Sequence, residues 1–197
     1  MSEDMPVTTA LEEISSFADL PIDIRAELDR RFLKLGDVLE LVDGSVIPLS
    51  KPAGEPLDVF AGGVLLGAGE VNAVNEHFGV RITAFGAGSK KPAVAPFPGE
   101  SDGRDSRDVP RGSGDPATLA LLRHQIVCLS VVVGRTQMTL EKLVRLTTGS
   151  ILELESLLKQ PVEVLVNDQV LAYGEVVAVD GNYGVRILFA EDNGHRN

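Results

Sequence analysis

Two acid–base pairs stand out in the chain, Glu70 with Arg81 and Glu175 with Arg186, because both keep the same spacing of eleven residues. A carboxylate held beside a guanidinium is a candidate for general acid–base work. No nucleophile or histidine recurs beside both pairs, so a charged contact between neighbouring strands is the better reading. His77, His124 and His195 have no matching histidine in the other half of the chain. They are expected in a turn, a helix and the tail, with no ligand set for a metal. Cys128 falls in the apolar run 126–133 and reads as a small buried hydrophobe rather than a reactive thiol. The glycine pairs Gly86/Gly88 and Gly112/Gly114 lack the strand-to-helix setting and the following lysine of a phosphate loop. The expectation is a non-enzymatic protein with no catalytic, cofactor or metal residues.

Composition narrows the field further. The 197 residues carry a formal net charge of −11, and such an acidic surface repels phosphate backbones. Aromatic residues make up 5% and tryptophan is absent, which leaves little material for stacking on bases. Nucleic acid is therefore not an expected partner. A single cysteine excludes an internal disulfide and fits a reducing cytoplasm. The N-terminus has no basic start and no apolar core, so no signal peptide is read there. The apolar run 126–133 is far shorter than the roughly 20 residues of a membrane helix. No direct membrane insertion is expected.

The elements that must position these residues come from an internal repeat. Pro56, Val59, Leu66, Gly69, Glu70, Val71, Ala73, Val74, Gly79, Val80, Arg81 and Ile82 each recur 105 residues later, without a gap. The same offset relates Gly44-Ser45 to Gly149-Ser150, Leu35 and Leu41 to Leu140 and Leu146, and Arg30 to Arg135. One register held over about 60 residues marks a duplicated domain. Five parts are expected: an N-terminal helical segment (1–19), a first domain (20–85), a linker (86–116), a second domain with a leading helix (117–190) and a tail (191–197). The linker is rich in Gly, Pro, Ser and Asp and balances five basic against five acidic residues. It reads as a solvated, flexible coil reaching about 30 Å. Lys90, Lys91, Arg104, Arg107 and Arg111 belong to it.

Each copy is expected to open with a short helix (9–18 and 117–125), then a strand (21–29 and 126–135), then two helical turns (35–41 and 140–146). Thr139 is placed to cap the second of these helices, and Gly44 and Gly149 to stop them. Strands follow at 46–49, 56–61, 64–74 and 79–85, and at 151–154, 161–166, 169–179 and 184–189. Gly62-Gly63 and Asn167-Asp168 suit hairpin turns with positive φ. Residues 75–77 and 180–182 are read as the next turns. Gly69, Gly79, Gly174 and Gly184 are read as places where the sheet bends or bulges. The fold class is mainly β with short helices, in two small barrel-like units. A β unit of about 70 residues has a thin core and open edges. The two copies are therefore expected to pair as an intertwined pseudo-dimer.

Copy two closely resembles the family of the flagellar motor switch protein FliN, the surface-presentation-of-antigens (SpoA) domains. The residues that carry the resemblance are Gly134-Arg135-Thr136, Gly149-Ser150-Ile151, Gly174-Glu175-Val176 and Tyr183-Gly184-Val185-Arg186-Ile187. Copy one resembles the family at Gly44-Ser45-Val46, Gly69-Glu70-Val71 and Phe78-Gly79-Val80-Arg81-Ile82. It departs at Asp29-Arg30-Arg31, where the family has Gly-Arg-Thr, and at 48–52. The resemblance implies interlocked β-rich dimers stacked into the cytoplasmic C-ring of the bacterial flagellum, peripheral to the inner membrane. It implies roles in torque generation, rotation switching, chemotaxis and docking of the export apparatus. FliM-like and FliG-like switch proteins, a FliH-like export component and self-association through SpoA domains are the implied partners. Whether a CheY-like response regulator binds directly stays open. A ring or sorting-platform component of a non-flagellar type III secretion system is the alternative reading, and a small-ligand barrel or enzyme a third.

One position separates the copies. Asn72 in copy one is Val177 in copy two. A polar residue in one copy says that this strand face is not deep core, so Val177 is read as exposed apolar surface. The resemblance implies a hydrophobic partner surface on the same strand. Val176, Val177 and Ala178 are the leading partner-binding candidates, followed by Val71, Asn72 and Ala73.

Overall fold

Alternating apolar residues in Ile22, Ile24, Ala26 and Leu28, and again in Val127, Leu129, Val131 and Val133, give two strands with one core-facing side each. In the computed structural model, which describes residues 16–86, 120 and 122–190, these become β1 (Pro21–Lys34) and β6 (Ile126–Thr139). They run antiparallel along their whole length, from Pro21 opposite Thr139 to Lys34 opposite Ile126. Both are longer than the sequence reading allowed. The first was expected to end at Asp29, yet it runs on through Arg30 and Arg31, and the polar groups of these three residues are satisfied within the fold. Arg30 reaches Glu27, Asp29 accepts the N–H groups of Ser50 and Lys51, and the Arg31 guanidinium donates to the Pro48 carbonyl.

Copy one continues with α1 (Leu35–Leu39), β2 (Val46–Pro52), β3 (Leu57–Ala61), β4 (Val64–Val74) and β5 (His77–Phe85). Copy two repeats this as α2 (Leu140–Val144), β7 (Ile151–Leu157), β8 (Val162–Val166), β9 (Gln169–Val179) and β10 (Asn182–Ala190). The described residues form one ten-stranded antiparallel sheet in the order β2-β10-β9-β8-β6-β1-β3-β4-β5-β7. The order reveals an exchange. β2 leaves copy one to pair with β10 of copy two, and β7 leaves copy two to pair with β5 of copy one. The intertwined pseudo-dimer expected from the repeat is therefore formed within a single chain.

The sheet curls around a shared core. Ile24, Val59, Val80 and Ile82 from copy one pack with Leu129, Val131, Val164, Val185 and Ile187 from copy two. The exchanged strands add Ile47, Leu49, Leu152 and Leu154. Burying such side chains contributes about 1.5–3 kcal/mol each relative to exposure. Because residues of both copies line one interior, neither copy keeps this core alone.

The hairpin turns have the positive φ that their residues permit: +55° and +81° at Gly62-Gly63, and +48° and +65° at Asn167-Asp168. The next turns are shorter than read from sequence. They consist of residues 75–76 and 180–181, and His77 and Asn182 already begin strands. The helices are also shorter, ending at Leu39 and Val144. Thr139 caps α2 by accepting from the Lys142 N–H at 3.4 Å. Gly44 and Gly149 do not stop the helices. They supply φ of +86° and +92° in the following turns, where no side chain is favoured. Of the expected leading helices, residues 1–15, 117–119 and 121 lie outside the described residues; 16–19 form a turn, and 120 and 122 are helical. His124 sits in a turn, and His195 and residues 87–116 lie outside the described residues.

Candidate interaction surface

The motifs that looked like separate signatures meet one another across the copies. Gly44-Ser45 of copy one lies against Ile187 of copy two: the Gly44 N–H donates to the Ile187 carbonyl and the Ile187 N–H to the Ser45 carbonyl, both at 2.8 Å. Gly149-Ser150 does the same with Ile82, at 2.7 and 2.8 Å. The Ser45 hydroxyl accepts the Val42 N–H, and the Ser150 hydroxyl accepts the Thr147 N–H, each closing its turn. The lead-in segments are exchanged too. The N–H groups of Leu140 and Glu141, at the start of α2, donate to Leu20 and Ala18, while those of Leu35 and Gly36 donate to Gln125 and Arg123. These short helices thus have first-turn donors satisfied by backbone of the other copy.

The acid–base pairs face each other on neighbouring strands. Glu70 lies opposite Arg81 with Oε2 and Nη2 2.5 Å apart, and Glu175 opposite Arg186 at 3.1 Å. All four side chains are about half exposed, so each pair is a surface ion pair with a modest contribution. Gly69, Gly79, Gly174 and Gly184 are buried beside register shifts in the ladders. A Cβ on Gly184 would strike Val179 Cγ2 at 2.6 Å.

Strand periodicity divides the partner-binding candidates. Val176 and Ala178 point to one side of β9 and Val177 to the other. Val176 is 41% exposed, Ala178 is exposed and Val177 half-buried. Val71, Asn72 and Ala73 are all exposed on β4. The three copy-two candidates therefore do not form one continuous patch. Val177 instead shares its face with residues that sequence spacing could not associate with it. It lies opposite Gly184, which lies opposite Pro48 of β2, and Val46 follows two positions along. Val46 and Pro48 are exposed, so Val46, Pro48 and Val177 form an apolar strip built from both copies. The equivalent face of the other half carries Ile151, Glu153 and Asn72, apolar at one position only. The signal for this strip was present in the repeat, since Pro48 matches Glu153 just as Val177 matches Asn72.

Cys128 is half-buried, and burial pushes its thiol above the usual range. His77 faces Glu153 with Nδ1 3.7 Å from Oε1, beside an open groove that also includes Thr136, Leu154 and Glu155. Among the described residues, no group of three or more His, Cys, Asp or Glu is arranged to hold a metal ion, and no helix is long and apolar enough to cross a membrane.

Interlocked repeats that exchange strands and offer sheet faces rather than a lined cleft define an intertwined two-copy β protein. The chain belongs to the type III flagellar switch regulator (C-ring) FliN C-terminal family, whose profile matches residues 15–86 and 121–189. It is 49% identical over 74 residues to the flagellar motor switch protein FliN of Pectobacterium carotovorum subsp. carotovorum, covering 38% of this chain and 70% of that one. It is 44% identical over 75 residues to FliN of Escherichia coli, covering 38% and 55% respectively. It is also 42% identical over 77 residues to the flagellar motor switch phosphatase FliY of Bacillus subtilis, covering 39% of this chain and 20% of that protein. The chain thus spans little more than half of some relatives, and a small part of the one named a phosphatase.

Proposed function

We propose that this protein is a non-enzymatic structural component of the flagellar motor switch, acting in the cytoplasmic C-ring at the basal body. The observation that carries this reading is the reciprocal exchange of β2 and β7. It joins the family motifs into contacts between the copies and leaves outer sheet faces free for assembly. Its work is surface complementarity, with partner binding favouring one ring arrangement over another and so biasing rotation. FliM-like and FliG-like switch proteins and a FliH-like export component are the proposed partners, with a CheY-like regulator as a further one. The strip of Val46, Pro48 and Val177 is the proposed docking face. The relatives named above are flagellar, which favours this system over a non-flagellar secretion platform.

The test is Val177→Asp in the full chain. The expected result is an unchanged circular dichroism spectrum with weakened capture of the FliM-like or FliH-like partner and reduced spreading in soft agar. Unchanged capture and spreading, or loss of the fold, would remove the docking face from the proposal. Normal motility after deletion of the whole gene would remove the flagellar role.

A further inference from the structure

The two copies are related by an approximate dyad through the middle of the β1·β6 ladder. Ile24 lies opposite Thr136 and Arg31 opposite Leu129; Arg25 lies opposite Arg135 and Arg30 opposite Ser130. With the offset of 105, the two members of each set are the same contact seen from either copy. One position is its own mate. At an irregularity in the ladder, with a register shift on either side, Glu27 lies opposite Val132, and 132 is 27 plus 105. At the axis, copy one contributes a carboxylate and copy two a valine.

The carboxylate is buried, at 1% exposure. Two arginines of its own strand hold it. Arg25 Nε is 2.7 Å from Oε1, and Arg30 places Nε 2.5 Å from Oε2 and Nη2 2.8 Å from Oε1. The Arg30 guanidinium lies 4.3 Å above the centre of the Phe60 ring. Arg25 also crosses to copy two, 2.7 Å from the carboxylate of Asp168. Copy two repeats little of this. Its residues at the places of Arg25, Glu27 and Phe60 are Ser130, Val132 and Leu165, and copy one has Gly63 at the place of Asp168. Two copy-one strands brought together in the same register would set Glu27 against a second Glu27 in a buried site. Each Arg25 would then meet a glycine turn instead of a carboxylate. Each Glu27 would keep its own two arginines, yet two carboxylates confined at one axis out of water still repel.

We propose that Glu27 is the element that selects the partner at the central interface. Copy one accepts a strand with an apolar residue at the axis and a carboxylate in the turn that meets Arg25, which is a repeat of the copy-two type. It refuses a second copy of itself. Copy two, with Val132 at the axis, carries no such bar. The rule holds whether the partner strand comes from the same chain or from a neighbour.

The experiment is a charge cycle on the full chain, read by thermal and urea unfolding. The variants are Glu27→Val, Val132→Glu, Val132→Gln and the double variant Glu27→Val/Val132→Glu. Val132→Glu is expected to lower the Tm by about 10 °C or more, and Val132→Gln, close in size but uncharged, by less than half as much. The double variant is expected to regain part of the loss: one carboxylate again stands alone at the axis, but on a strand with Ser130 at the place of Arg25. Equal effects of Val132→Glu and Val132→Gln would overturn the proposal. So would a double variant that loses the sum of its two singles. Should Val132→Glu fail to fold, the double variant decides: a cooperative melt supports the selection rule and an unfolded chain overturns it.

Discussion

Asp29 and Gly134 occupy equivalent positions in the two copies and close the same seam by opposite means. In copy one, the Asp29 carboxylate accepts the backbone N–H groups of Ser50 and Lys51 at 2.6 and 3.1 Å, binding the edge of β2 to β1. In copy two there is no side chain at all, and β7 closes directly on β6. A Cβ on Gly134 would sit 2.7 Å from Ser156 Oγ and 2.9 Å from Leu154 Cδ1. The departure of copy one from the family motif is thus a substitution of a charged clamp for a close contact. Asp29→Ala is expected to cost about 0.5–1.5 kcal/mol in urea unfolding, since it removes the acceptor of two donors that water then reaches. Gly134→Ala is expected to cost more, about 1–3 kcal/mol, through overpacking against a buried leucine.

The Glu70–Arg81 and Glu175–Arg186 pairs recur faithfully but lie in solvent. Glu70→Ala and Glu175→Ala are each expected to shift stability by less than about 1 kcal/mol, with the difference shrinking in high salt. Urea midpoints at low and high ionic strength would check this. A larger effect would mean that the pairs are covered in the assembled protein.

The Arg25 guanidinium, hydrogen-bonded to Asp168, holds that carboxyl below its usual value of 3.8. A depressed folded-state value means that the unfolded chain binds the proton more readily. The contact therefore stabilises above pH 3.8 and is lost as pH falls below that value towards the folded-state one. Asp168→Asn is expected to lower stability at neutral pH and to match the parent protein in strong acid. The difference between their urea midpoints, followed from pH 6 downward, isolates this one group from the other carboxylates.

Burial raises the Cys128 thiol above 9.0 and makes the thiolate scarce near neutrality. Labelling by a disulfide reagent at pH 7.5 is expected to be slower than for a free cysteine, and to accelerate on addition of urea. Rapid labelling in the native state would point to opening of β6.

The hairpins were legible because local rules govern them. Asn167-Asp168 and Gly62-Gly63 adopt positive φ for reasons carried by those residues alone. The pairing of the copies was legible from thin cores and open edges, but the strand that crosses was not. β2 and β7 read as ordinary short strands, and nothing local says that Val46 lies opposite Arg186 of the other copy. The length of β1 was hidden by Asp29-Arg30-Arg31, whose charges find partners that only the folded chain supplies. The proposed docking strip was half legible: Val177 came from comparing the copies, whereas Val46 and Pro48 reach it only through the exchange. Glu27 was missed because a lone acid in an alternating strand reads as a solvent-facing residue. Its counterpart Val132 was the available clue.

The crossing of β2 and β7 makes the covalent join between the halves redundant for holding the folded molecule together. A cut anywhere in 87–119 would leave each fragment with one strand hydrogen-bonded into the other fragment's ladder and with the β1·β6 ladder shared between them. The two pieces would travel as one particle until denatured. What the peptide link contributes is a fixed one-to-one ratio of unlike halves, delivered to the assembly as a single gene product.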